Sequence, residues 1–166
     1  MIVLVLNCGS SSIKYQVIDI DEQSNALVAK GLVDRIGLPE GSLTHKPSGK
    51  TNFELKQPIP DHTTGISLVL EALTNPEHGV IADLTEVKAV GHRVAHGGEF
   101  FADSAVVNET VKEQIRSLFA IAPLHNPANL EGILSIEKVL PSVPQVAVFD
   151  TSFHQSIPAR NYLYAL

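Results

Sequence analysis

The residues best suited to chemistry are those that could hold phosphate and carboxylate groups. Asn7-Cys8-Gly9-Ser10-Ser11-Ser12-Ile13-Lys14 follows a strand-length apolar run and reads as the turn of a hairpin. Gly9 has no Cβ, so backbone N–H groups can approach an anion closely, and the serine hydroxyls add donors. Asn7 contributes a carbonyl oxygen beside the loop and Lys14 a mobile positive charge. Taken alone, the segment is equally an ordinary serine-rich hairpin turn. Arg93, His125 and Asp150 complete the set. A guanidinium can grip carboxylate or phosphoryl oxygens bidentately, and an imidazole can donate to charge developing on a phosphoryl group in transfer. Together they suit phosphoryl transfer to or from a carboxylate. Arg93 and Asp150 could instead form only a structural ion pair.

These groups need elements to carry them. Met1–Leu6 and Ile13–Asp19 read as two strands, and Ala26–Val33 as a third that completes an antiparallel meander. Between Gly37 and Pro60, a region rich in Gly, Pro and Ser, strand-like pieces occur around Leu43–His45 and Asn52–Leu55. Ile66, Val69, Leu70 and Leu73 fall at helical spacing behind Asp61, a residue suited to the N-cap. Val87–Val94 reads as a strand ending at Arg93. Asn108 is expected to cap a helix burying Val111, Ile115, Leu118 and Phe119. Asn126-Pro127 is expected to cap and start a helix running to about Leu140, which places His125 just before a helix N-terminus, favourable to an anion. Gln145–Phe149 reads as a strand delivering Asp150 at its C-terminal end. Asn7, Arg93 and Asp150 thus all fall at strand C-termini, where mixed α/β sheets bind ligands. The order predicts a mixed α/β fold with a partly antiparallel sheet.

Composition narrows the classes further. At 166 residues the chain suits one domain, or one domain and the start of another. The net charge of −6 argues against nucleic acid as a partner, though a local basic site can still hold a small anion. The first apolar run is far too short to span a membrane, and no cleavable signal pattern follows it, so a cytoplasmic protein is expected. A single cysteine, Cys8, allows no internal disulfide, and it reads more readily as a packed thiol than as a nucleophile. Ser48-Gly49-Lys50-Thr51 resembles the end of a phosphate-binding P-loop. The motif's first glycine would fall on Thr44, so an exposed hairpin turn is expected. His92 and His96 have helical zinc-ligand spacing, but they straddle a strand end and two glycines.

Four runs, NCGSSSIKY, GHRVAHGGEFF, APLHNPANL and VAVFDTSFHQSIP, occur in an order and spacing that resemble the acetate kinase family of short-chain acyl kinases, over essentially the whole chain. The resemblance implies the fold of the actin, sugar-kinase and heat-shock ATPases, with residues 1–150 forming an N-terminal acyl-kinase domain and 151–166 opening the connection to a second domain outside this sequence. It implies reversible transfer of the γ-phosphoryl group of ATP to acetate or propionate, with Mg²⁺, by a protein that is a homodimer at full length. It further implies that Asn7 helps hold the metal, that Ser10, Ser12 and Lys14 lie by the nucleotide phosphates, and that Arg93 binds the acyl carboxylate. His125 would contact the phosphoryl group in flight, and Asp150 would be the essential acid. The second domain would supply the adenosine-binding loops, a second histidine, a second arginine and a magnesium-ligand glutamate. Ala95 departs from the valine of many acetate-using relatives and, with Leu124 opposite, would widen the acyl pocket towards propionate. The alternatives are a non-catalytic binding or regulatory half-domain and a propionate-preferring kinase. A sugar kinase of the same fold lacks support, because no polyol-binding set is present.

Overall fold

The computed structural model describes residues 1–161 and 163. The expected connection over 151–166 therefore falls in part, at residues 162 and 164–166, outside the described residues. The elements are β1 (Ile2–Cys8), β2 (Ser12–Ile20), β3 (Asn25–Asp34), β4 (Ser42–Pro47), β5 (Phe53–Lys56), α1 (His62–Thr74), β6 (Val87–Val94), β7 (Ala105–Val106), α2 (Glu109–Ser117), α3 (Asn126–Val139) and β8 (Gln145–Phe149). A short 3₁₀ turn, Asp150–His154, follows β8 directly.

One mixed sheet runs through the molecule in the order β5-β4-β3-β2-β1-β6-β8-β7. β1 to β5 form the expected antiparallel meander, extended by the β4–β5 hairpin. β1, β6 and β8 are mutually parallel, so their C-termini emerge on the same edge. Strand alternation sets the faces: Leu4, Leu6 and Cys8 of β1 and Ile13, Tyr15 and Val17 of β2 are buried, while Val3, Val5 and Lys14 turn the other way. The buried face packs against Ile66, Val69 and Leu73 of α1 and Leu130, Ile133 and Ile136 of α3. α3 approaches β1 so closely at Gly132 that a Cβ there would run into Cys8 Sγ.

Asp61 caps α1 as the spacing predicts, its carboxylate accepting from the Thr64 N–H at 2.7 Å. Asn108 likewise caps α2 through the Val111 N–H at 2.9 Å. Ser48–Lys50 form the hairpin turn between β4 and β5, with Gly49 at φ +73°, where a glycine is needed. Two expectations are corrected. α2 ends at Ser117 because Leu118 turns its N–H back to Ile115, so Leu118 and Phe119 pack from a turn. Asn126 does not cap α3: His125 occupies that position without a side-chain cap bond, while Asn126 is inside the helix and fully buried.

Candidate active site

Three parallel strands deliver three polar side chains to one edge. Asn7 is the penultimate residue of β1, Arg93 the penultimate residue of β6, and Asp150 the first residue after β8. Arg93 is pointed away from the core because its neighbours His92 and Val94 face inward. Its Nη2 donates to Asp150 Oδ2 at 2.6 Å, and its Nε lies 3.1 and 3.0 Å from the two carboxylate oxygens. Its Nη1 donates to Asn7 Oδ1 at 3.2 Å. Asn7, Arg93 and Asp150 are therefore one connected unit. The ion pair is half-exposed, at 43% and 46% for the two side chains, so the bridge alone stabilises the fold little.

Beside this unit opens a cleft of about 480 Å³ lined by Arg93, Ala95, His96, Leu124, His125 and Asp150, with the turn at Ile121–Pro123 as its outer wall. The expected acyl-site residues therefore share one cavity, and Leu124 and Ala95 both border it. His125 is exposed at the first turn of α3, where the helix dipole favours an anion.

The loop between β1 and β2 sits on the same edge. Gly9 N–H donates to Ser12 O at 2.8 Å, closing a tight turn with Ser10 and Ser11 exposed at its tip. His62, at the start of α1, pairs through Nε2 with the Gly9 carbonyl at 2.7 Å. Lys14 stands opposite Asn7 in the β1–β2 register, and both border a second groove of about 570 Å³ on the open sheet face. Lys14 is thus set apart from the cleft that holds Arg93 and His125, and Asn7 lies between the two regions.

Three buried polar residues support the site in roles that no reading of the sequence gave them. Asn129 accepts from the Ala95 N–H at 3.0 Å and donates to the Cys8 carbonyl at 2.7 Å. Asn126 brackets the backbone of His96, at 3.1 Å to its N–H and 2.9 Å to its carbonyl. His62 holds Gly9. The signal that points to the first two is a pair of asparagines one helical turn apart on an otherwise apolar face, since buried amides must find partners. Beneath the site, His92 pairs with Gln145 Oε1 at 2.7 Å, and burial pushes its pKa down to about 4, so it is neutral at ordinary pH. Burial, aided by the Glu131 charge, pushes the Cys8 thiol up to about 12, which makes it inert as a nucleophile.

Among the described residues there is no cluster of three His, Cys, Asp or Glu side chains able to hold a metal unaided. The donor set does fit a shared magnesium ion. Asn7 Oδ1 and the Asp150 carboxylate are hard oxygens gathered on one guanidinium. Mg²⁺ commonly takes one or two such ligands and completes its shell with water and substrate phosphates.

The pattern of the acetokinase family matches residues 2–166. The chain is 57% identical over 166 residues to an acetate kinase of Heliobacterium modesticaldum, covering all of this chain and 41% of that protein. It is 53% identical over the same length to an acetate kinase of Desulfitobacterium hafniense, with the same coverage. Among solved structures, Porphyromonas gingivalis acetate kinase superposes with a TM-score of 0.93 at 41% identity, over 99% of this chain and 41% of the other. A propionate kinase from Francisella tularensis superposes with a TM-score of 0.83 at 36% identity, again over 99% and 41%. The chain thus spans about two-fifths of the length of the relatives it matches. Sequence and fold agree along that whole span, and the chain belongs to the acetokinase family.

Proposed function

We propose that this chain carries the acyl-binding half of a kinase that moves the γ-phosphoryl group of ATP reversibly onto acetate or propionate. The observation that supports it most directly is the convergence of Arg93, His125 and Asp150, from three separate elements, on one cleft walled by Ala95 and Leu124. That set has a cation for a carboxylate, a donor for phosphoryl oxygens, and an apolar wall for a short acyl chain. Residues 1–150 constitute the acyl-kinase domain, and 151–166 lead into a second domain that completes the nucleotide site.

In this reading a carboxylate oxygen attacks the γ-phosphorus, a P–O bond forms, and the bond to the ADP oxygen breaks, leaving acyl phosphate and ADP. Arg93 holds the carboxylate and cancels part of its charge. His125 donates to the equatorial oxygens as charge spreads over them. Ser10, Ser12 and Lys14 hold the nucleotide phosphates at the loop. Asn7 and Asp150 are the residues that would hold magnesium, which when bound neutralises phosphate charge. Acetate is already ionised at neutral pH, so Asp150 has no proton to remove in that direction and acts by arranging ligands. The full-length protein works as a cytoplasmic homodimer. No helix among the described residues is long and apolar enough to cross a membrane.

The test is a hydroxamate assay for acyl phosphate with MgATP and acetate or propionate. It is run on a protein of the relatives' full length carrying this segment, and on the 166-residue chain alone. The longer protein is expected to form acyl phosphate. The short chain is expected to form little, because losing even one charge-stabilising donor costs on the order of a hundredfold or more. Absence of acyl phosphate from the longer protein would overturn the assignment; equal turnover by the two would show that the segment needs no second domain.

A further inference from the structure

We propose that Asn129 is a positioning residue that fixes the phosphate loop and the acyl cleft in one register. The inference rests on the function proposed above and adds how its two subsites are held together. One carboxamide reaches both. Nδ2 donates to the carbonyl of Cys8, the residue between Asn7 and Gly9, at 2.7 Å, and Oδ1 accepts from the N–H of Ala95, two residues beyond Arg93, at 3.0 Å.

The side chain is 3% exposed, so water does not compete for either bond. Its orientation is set by chemistry, because the reverse placement would set donor against donor and acceptor against acceptor. The neighbouring buried polar groups each serve one side only: His62 holds Gly9 of the loop, and Asn126 holds His96 of the cleft. One turn further along α3, Gly132 sits against Cys8 Sγ, so the helix has no slack at this point. Asn129 is therefore the side chain through which α3 ties the end of β1 to the end of β6.

The reaction makes that tie matter. Transfer between a nucleotide held by the loop and a carboxylate held by Arg93 requires the reacting atoms to meet at about 3–3.5 Å, and a misplacement of about 1 Å can cost on the order of a hundredfold. Asn129 touches neither substrate. Its effect is expected in kcat, with binding of each substrate separately almost unchanged.

Asn129→Asp separates this from a role in stability alone. The variant keeps the size and the acceptor towards Ala95, but when ionised it has no donor for the Cys8 carbonyl. Protonating the introduced carboxyl restores one. In the full-length protein, kcat is expected to fall about tenfold to a hundredfold at mildly alkaline pH, with either KM changed less than about threefold. The ratio of variant to wild-type kcat should then climb as the pH is lowered. Asn129→Ala should show the loss without the recovery.

Unchanged kcat, or a ratio flat with pH in a folded Asn129→Asp protein, would overturn the proposal. Amide hydrogen exchange on Asn129→Ala probes the tie independently of turnover. Faster exchange at both Gly9 and Ala95 supports the tie, and faster exchange at Ala95 alone overturns it. If the wild-type protein makes no acyl phosphate, the functional reading fails while the exchange result still decides whether Asn129 joins the two sites.

Discussion

Arg93 has five N–H donors, and the contacts to Asp150 and Asn7 engage Nε, Nη2 and one N–H of Nη1. Two donors remain for an incoming carboxylate, so Asp150 and a substrate need not exclude each other. Replacing Arg93 by Ala removes a charge-assisted grip worth about 1.5–3 kcal/mol. Steady-state kinetics of Arg93→Ala should accordingly show the KM for the acyl substrate raised by about tenfold or more, with that for ATP less affected. Lys14→Ala should do the reverse, since an ammonium beside phosphates acts as a point charge on them; exchanged phenotypes would mean the two subsites have been transposed. Ala95 makes a separate claim about acyl size. Valine there would fill room for about one methylene, worth roughly 1–3 kcal/mol or 10- to 200-fold in discrimination. Ala95→Val is therefore expected to shift the ratio of kcat/KM towards acetate and away from propionate. An unchanged ratio removes Ala95 from the specificity argument.

At the scale of elements, α1 joins the cap to the loop. Asp61 holds the first turn of α1, and His62, the next residue, holds Gly9. Asp61→Ala should lower stability by about 1 kcal/mol, read as a shift in the urea midpoint at unchanged slope, the typical cost of a lost N-cap. A shift indistinguishable from zero would show that packing of α1 suffices. This cap was legible in the sequence because capping is a local event: a carboxylate, a helical apolar period and a few residues decide it. The strands carrying Asn7, Arg93 and Asp150 were legible for a similar reason, as short apolar runs each ending in a polar residue. Asn126 misled because Asn before Pro has the same local signature whether its side chain caps the helix or turns inward. What decides it is His96, thirty residues upstream, whose backbone offers both a donor and an acceptor. Asn129 and His62 stayed silent for the same cause, since their partners are carbonyls and N–H groups that only the folded sheet brings near. β7, Ala105–Val106, is too short to show a period at all.

Across the whole molecule, buried histidines set the acid limit. His92 is held neutral by burial with a pKa near 4, against 6.5 when solvated. His45, fully buried between Tyr15 and the His78 carbonyl, is also lowered, mainly by burial. The unfolded chain binds these protons first, so this stability is complete above about pH 6.5, is lost as the pH falls from there towards the folded values, and levels off below them. For His92 alone the loss by about pH 4 is on the order of 3 kcal/mol. Thermal melts between pH 7 and 4 should show Tm falling steeply for the wild type and less steeply for His92→Gln, which cannot gain the proton. Parallel curves would place the acid sensitivity elsewhere.

Cys8 gives the molecule a built-in clock for its own breathing. It is the only thiol in the sequence, and at the end of β1 it is sealed beneath Gly132 of α3. A disulfide reagent can reach it only when the helix lifts from the strand, and only then does its thiol return to ordinary acidity. The rate of modification therefore counts openings at the seam that Asn129 ties, without any thiol having to be engineered. In native protein that rate should fall far below the rate in urea. Asn129→Ala should raise it, while Lys14→Ala, on the opposite face of the sheet, should leave it where it was.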